Sequence, residues 1–266
     1  MKFQAGLTLI ELMIGLAVGL LVVAVATVSL LGSRSVTGAV SDISGIQQQA
    51  AYVMRTFGTQ LRQAGSLYLD LGLDAGDESD IITPTVFQLR DDSEQAIHEA
   101  EGTGAITIQY TGYEEPTFAD NGPISRNCLA EPGKGVLGPG ETIPVESIFT
   151  ISSTDLHCNG QPIAQNVAAF QVRYLLQDTN QGTDQGDPPM LYTGRAGVGE
   201  NWNRVQGVEV CLVLFGTERI DVPAGGVSYT GCDENDVDIT TLTGNRTNRM
   251  HYVFRNVFQL RSQGLI

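Results

Sequence analysis

Residues 7–31 form an apolar run that follows the polar hexapeptide Met1-Lys2-Phe3-Gln4-Ala5-Gly6 and contains a single ionisable side chain, Glu11. As a helix these 25 residues extend roughly 38 Å at about 1.5 Å per residue, enough to cross a hydrocarbon core of about 30 Å. A carboxylate near the centre of a spanning helix costs roughly 2.5–3.5 kcal/mol, and less near its end, so Glu11 calls for a partner. The order of segments is also informative. A secretory signal has a charged start, an apolar core of about 7–15 residues and then a small-residue cleavage site. Here the polar segment comes first, so a cut between Gly6 and Leu7 removes only a leader and leaves the helix on the mature chain.

The stretch Gly6-Leu7-Thr8-Leu9-Ile10-Glu11-Leu12-Met13 resembles the prepilin leader of type IV pilins. That resemblance implies cleavage after Gly6 by a prepilin peptidase, N-methylation of the new terminus at Leu7, and a role for Glu11, fifth after the cut, in registering one subunit on the next. Electrostatics gives the role a physical form. An ammonium on Leu7 and a carboxylate on Glu11 are each expensive inside a low-dielectric helix bundle and much cheaper when paired across subunits. Gly15 and Gly19 have GxxxG spacing, which permits close approach of another helix. The alternative is a membrane anchor that tolerates one polar residue near its cytoplasmic end.

The helical pattern continues beyond the run. A 4-3 spacing links Val36, Val40, Ile43, Gln47, Ala50, Met54, Phe57, Leu61 and Ala64, with Ser41, Gln48, Arg55 and Gln60 on other faces, and Gly65 is placed to cap the helix. Gly45, Gln47 and Gly58 interrupt a coiled-coil reading, so the stripe is expected to pack on a sheet of the same chain. Strands are expected over residues 86–90, 105–111, 147–151, 167–176, 207–215 and 249–260. The last alternates Met250, Tyr252, Phe254, Phe258 and Leu260 with Arg249, His251, Arg255, Gln259 and Arg261, the signature of a strand with one dry and one wet face. The expected fold is α+β and type IV pilin-like, a long N-terminal helix packed on an antiparallel sheet with long loops. Its parts are a leader (1–6), the membrane half of the helix (7–31), its amphipathic half (32–65) and a β-rich periplasmic head (66–266).

Thirty Asp and Glu against fifteen Lys and Arg leave a net charge of -15. Such a head repels phosphate backbones, which disfavours direct nucleic-acid binding; a local basic strip through Arg249, Arg255 and Arg261 competes with a plain solvated face. Four cysteines beyond the membrane segment suggest two disulfides. Of three connectivities the sequential pairs Cys128-Cys158 and Cys211-Cys232 are favoured, since each staples one long loop. Asp178, Asn180, Asp184 and Asp187 alternate like calcium ligands, although Gly182 stands at a ligand position and Pro189 where a bidentate Glu is expected, so a solvated turn is the rival reading. Asp233, Asp236 and Asp238 form a weaker cluster. No other cofactor is indicated. The Gly133-Lys134-Gly135-Val136-Leu137-Gly138 match to GxGxxG is followed by Pro139 and Gly140, where a helix must begin, and the phosphate-cradle reading fails. Scattered histidines (His98, His157, His251) and the lack of a GxSxG or HExxH pattern argue against an enzyme.

The segment Ile14-Gly15-Leu16-Ala17-Val18-Gly19-Leu20-Leu21, the chain's size, its acidic head and the closing Val257-Phe258-Gln259-Leu260-Arg261 are similar to the PilW family of minor pilins. Unlike the usual major pilin, the chain has no proline before Pro84. The resemblance implies a minor pilin that helps initiate assembly and sits at or near the pilus tip, supporting twitching motility, adhesion and DNA uptake. Its implied partners are other minor pilins, the major pilin, the prepilin peptidase, the assembly platform and the inner membrane, with Lys2 holding the leader cytoplasmic. Competing expectations are a minor pseudopilin of a type II secretion system and, from another class, a calcium-dependent tip adhesin.

Overall fold

The computed structural model describes residues 8–64, 68–69, 87–88, 97–99, 106–112, 114–116, 121–123, 125–133, 143–177, 190–223 and 225–260. The chain divides into two compact units, 1–45 and 46–266. The described part of the first is helical throughout from Leu9, as part of α1 (Leu9–Gln63), and the large apolar residues between Leu9 and Leu31 are exposed. By length and composition this helix can cross a membrane. Its polar hydroxyls are accommodated internally: Thr27 Oγ1 donates to the Val23 carbonyl at 2.8 Å, which satisfies the hydroxyl without water.

In the second unit, α1 buries Ile46, Ala50, Val53, Phe57 and Leu61, a 3.6-period stripe that Ala64, just past its end, continues. The stripe differs from the sequence reading at four places: Val40 is exposed, and Val53 is fully buried where Met54, expected in the stripe, is half-buried. Gln47 is exposed and Ile46 takes the buried position, while Gln60, expected on the wet face, is buried. Gly65, the expected cap, lies outside the described residues.

Fifteen strands follow among the described residues: β1 (Tyr68–Leu69), β2 (Phe87–Gln88), β3 (Ile97–Glu99), β4 (Ile106–Gly112), β5 (Glu114–Pro116), β6 (Asn121–Pro123), β7 (Ile143–Ser152), β8 (Asp155–Cys158), β9 (Gln161–Ala164), β10 (Val167–Gln177), β11 (Met190–Thr193), β12 (Val205–Arg219), β13 (Ser228–Thr230), β14 (Asp236–Asp238) and β15 (Arg249–Gln259). Two antiparallel sheets carry the architecture, a five-stranded one in the order β3-β4-β7-β8-β9 and a four-stranded one in the order β11-β10-β12-β15. The pairs β1-β2, β5-β6 and β13-β14 are separate ribbons. The helix stripe packs on both main sheets within one apolar core, giving a long helix on antiparallel β-sheets, a pilin-like α+β fold.

Phe57 is where these elements meet. Its ring stacks on Phe149 of β7 at 4.0 Å between centroids and lies 5.7 Å from Phe170 of β10. Phe170 stands opposite Leu212 on β12, and Leu212 opposite Phe254 on β15, so one row of side chains crosses three strands of the four-stranded sheet. A second tie joins the two sheets. The Tyr174 hydroxyl of β10 donates to Glu99 Oε2 of β3 at 2.8 Å, and the Tyr174 ring meets Trp202 edge-on at 5.0 Å. Burial holds the Tyr174 phenol far above its ordinary pKa, so it remains a donor at any physiological pH.

The buried Gln60 is fully engaged. Ser147 Oγ donates to Gln60 Oε1 at 2.8 Å, Gln60 Nε2 donates to the Arg126 carbonyl at 3.2 Å, and the Cys128 amide donates to Ser147 Oγ at 3.0 Å. The Tyr110 hydroxyl donates to the same Arg126 carbonyl, and burial pushes its pKa up to about 12. A polar residue is tolerated under the helix because each of its groups has a partner.

Two glycines in α1 have opposite surroundings. A Cβ at Gly58 would lie 2.8 Å from Phe258 Cε1, whereas at Gly45 nothing stands within 4 Å. Glycine inside a helix costs about 0.5–1 kcal/mol relative to alanine. Gly45→Ala is therefore expected to raise the thermal unfolding midpoint of the full chain in detergent. Gly58→Ala is expected to lower it, because Phe258 must give way. Phe57→Ala should cost about 3–5 kcal/mol in denaturant unfolding.

Candidate functional site

The candidate assembly segment begins where α1 begins. Thr8 precedes the helix, its carbonyl accepting from the Glu11 and Leu12 amides at 3.1 and 3.2 Å. The Glu11 amide also lies 3.4 Å from Thr8 Oγ1, which in turn lies 3.5 Å from Glu11 Oε2. Thr8 and Glu11 thus occupy the two positions of a capping box, and the carboxylate lies in the first turn, where the helix dipole favours negative charge. Thr8 was missed as a functional residue, although the Thr-x-x-Glu spacing itself signals such a cap. Gly6 and Leu7 lie outside the described residues.

Glu11, Gly15 and Gly19 follow at successive i, i+4 positions and so share one face of the helix. Glu11 is exposed, and added Cβ atoms at Gly15 and Gly19 would meet nothing within 4 Å. No packing among the described residues requires glycine at either place, despite its cost to the helix. The face is open to an approaching surface.

The head carries a second constellation on the outer side of its four-stranded sheet. Strand β12 is buried on both faces: Val208, Val210, Leu212 and Leu214 join the main core, while Cys211 and Val213 form a smaller cluster with Cys232. The cover is the β13-β14 hairpin. Cys211 bonds to Cys232 with Cα atoms 5.7 Å apart, and Arg255 Nη2 donates to the Cys232 carbonyl at 3.1 Å. Glu209 lies between Arg173, 2.8 Å away, and Arg255, 3.7 Å away, while Glu234 of the hairpin lies 3.0 Å from Arg173 and 3.6 Å from Arg255. The carboxylates hold Arg173 charged, with the hydrogen bond it donates to Glu209 the leading cause. An acid inside the apolar run Val208-Glu209-Val210-Cys211-Leu212-Val213 was the available sign of this cluster. The other disulfide, Cys128 to Cys158 at 6.3 Å between Cα atoms, fastens the 125–133 loop to β8.

Three expectations are corrected here. The basic strip is spent internally: Arg255 is paired as described, and Arg249 Nη1 donates to the Gly216 and Thr217 carbonyls at 2.9 and 2.5 Å. Arg261 lies outside the described residues. His251, placed on the wet face, is buried beneath the hairpin. The Asp233, Asp236 and Asp238 cluster serves turns, since Asp233 accepts from the side chain of Asn235, Asp236 from Thr230, and Asp238 from Thr240. These side-chain hydrogen bonds hold Asp233 and Asp238 below the usual carboxylate range. Among the described residues no group of His, Cys, Asp or Glu is arranged to hold a metal. The calcium candidates Asp178, Asn180, Asp184 and Asp187 lie outside them.

Residues 1–27 match the prokaryotic N-terminal methylation motif. With that motif heading a long helix that packs on antiparallel sheets, the chain resembles type IV pilins in its N-terminal segment. Among solved structures, a type IV-like pilin from Thermus thermophilus is 12% identical over 59% of this chain and 77% of that one, with a TM-score of 0.29, a likeness too remote to carry an argument. No curated protein matches the chain in sequence.

The carboxylate at the hub of the hairpin cluster is directly testable. The Glu209 side chain is only 7% exposed, whereas its partners Arg173 and Arg255 keep 25% and 33% exposure and thus some access to water. Glu209→Gln keeps the shape and removes the charge, and is expected to cost about 1–3 kcal/mol in urea unfolding of the full chain.

Proposed function

We propose that this chain is a minor type IV pilin, PilW-like, that helps initiate pilus assembly and sits at or near the tip, in support of twitching motility, adhesion and DNA uptake. The observation that carries the reading is Glu11: a carboxylate in the apolar stretch of a methylation-motif helix, exposed, with a long contact to Thr8 of its own turn. In a bilayer or a helix bundle that group is costly unless a cation reaches it. The amino terminus that cleavage at Gly6 would create on Leu7 of an adjacent subunit is such a cation. On this reading Gly15 and Gly19, on the face of Glu11, let the neighbouring helix approach closely.

The remaining roles follow from the same arrangement. A prepilin peptidase processes the precursor while the 7–31 segment holds it in the inner membrane with the head in the periplasm. The assembly platform then passes it to a complex of other minor pilins and the major pilin. A large head suits a tip position, because it would crowd a tightly packed shaft. The pseudopilus of a type II secretion system uses the same N-terminal logic, and the genomic neighbourhood of the coding sequence distinguishes the two settings.

The capping geometry permits a sharp test. Glutamine substitutes for glutamate in a capping box but carries no charge. Gly6 replaced by a bulky residue is expected to block leader removal. Glu11→Ala and Glu11→Gln are both expected to leave processing largely intact and to reduce surface piliation strongly. If Glu11→Gln assembles normally, Glu11 acts as a helix cap and the subunit-register role is lost.

A further inference from the structure

The β13-β14 hairpin closes over His251 in a way that favours the neutral imidazole over the imidazolium. The imidazole stacks on Tyr229 of β13, with centroids 5.1 Å apart and planes 9° from parallel, and on its other flank lies Phe215 of β12 at 5.9 Å. Nδ1 lies 2.9 Å from the Arg249 carbonyl and, carrying the proton, donates to it. Nε2 is buried with no hydrogen-bond partner. The neutral ring therefore sits with an idle acceptor, a modest penalty, whereas the imidazolium would bury a charged donor with nothing to receive it.

The ionisable groups on the surrounding elements offer no rescue. On β15 the Arg249 guanidinium is engaged with the Gly216 and Thr217 carbonyls. Arg246, on the turn preceding β15, acts on the ring as a like charge. On the hairpin, Asp233, Asp236 and Asp238 are bonded to Asn235, Thr230 and Thr240, and Tyr229 presents its ring face. Strand β12 contributes the apolar Phe215, with Glu218 and Arg219 its nearest ionisable residues along the chain. A cation–π contact with Tyr229 offsets part of the cost of charge but supplies no acceptor for the second N–H.

We propose that His251 is an acid-sensitive latch: neutral, it holds the β13-β14 hairpin closed on the four-stranded sheet, and on taking up a proton from solvent it releases the hairpin, which stays tethered at Cys211–Cys232. Burial, the leading cause, lowers the His251 pKa below its ordinary 6.5, which has a definite sign. The closed form is fully favoured above pH 6.5 and loses ground as pH falls through that value toward the lowered one. Over that window each pH unit multiplies the open-to-closed ratio by up to about tenfold. Opening would uncover the Phe215 ring, now buried, in an acidic periplasm or medium, and the proposal holds whatever filament the chain joins.

Hydrogen exchange by mass spectrometry on the full chain in detergent, from pH 7.5 to 4.5 and corrected for intrinsic rates, tests it. Peptides covering 227–239 are expected to lose up to about tenfold protection per pH unit below 6.5, while those covering 50–63 hold theirs. His251→Phe, which keeps the stack, is expected to flatten the response. A flat wild-type profile, or an equal fall in His251→Phe, overturns the latch. Exchange of the imidazole C2 proton in the wild type reads the same group without any variant, and a His251 midpoint at or above 6.5 also overturns it.

Discussion

The contact of Phe57 with Phe149 and Phe170 is the constraint on which the head depends. A single helix stripe serves two sheets within one core, and the Phe57 ring reaches both. Burial of such a ring is worth about 1.5–3 kcal/mol, and a favourable aromatic pair adds roughly 0.5–1.5 kcal/mol. Its neighbours are chosen around it. Gly58 leaves room for Phe258, and Gln60 fills a polar niche bounded by Ser147, Tyr110 and the Arg126 carbonyl. The Tyr174 to Glu99 bond then closes the far ends of the same two sheets. The covalent tie at Cys128–Cys158 sits beside the Gln60 network, so the loop that supplies the Arg126 carbonyl is held in place from both sides.

One strand explains why the head has an outer layer at all. Most β-sheets in small heads keep one face in water, but β12 carries apolar residues on both faces, and its outward Cys211 and Val213 require cover. The β13-β14 hairpin supplies it with little apolar mass of its own. A disulfide, two arginines shared between Glu209 and Glu234, and a ring stack do the fastening. Fastenings of that kind respond to redox state, salt and pH in ways that a core does not. The least core-like layer of the head is thus also its most responsive one.

Much of this was legible in the sequence, for identifiable reasons. The apolar run admits no competing fold, and the strands over 167–176, 207–215 and 249–260 carry enough β-branched and aromatic residues to appear in nearly full length. Strands β8 and β9 were missed because each has four residues, too few for alternation to register. Their turn was nonetheless readable: Asn159-Gly160 is a two-residue hairpin signal, and both residues adopt positive φ, 45° and 81°. Gln60 and His251 were misplaced for a different reason. Periodicity assigns a side chain to a face, but whether that face is wet depends on what folds over it from elsewhere. Gln60 is claimed by Ser147, 87 residues on, and His251 is covered by a hairpin.

The same reasoning clarifies why the N-terminal segment speaks of assembly while the head does not. Among the described residues, Gln60 beneath the helix finds its partners within the chain, and the carboxylates beneath the hairpin are paired with Arg173 and Arg255. Glu11 is not so paired among them. Its longest-range described contact is three residues away, and Gly15 and Gly19 carry a helical cost for space that none of the described residues fills. On the proposed reading, a group that is expensive where it stands, beside gaps that are expensive to keep, becomes economical when a second chain brings both the cation and the volume. Incompleteness within one copy, more than any feature that the copy contains, is what favours that reading.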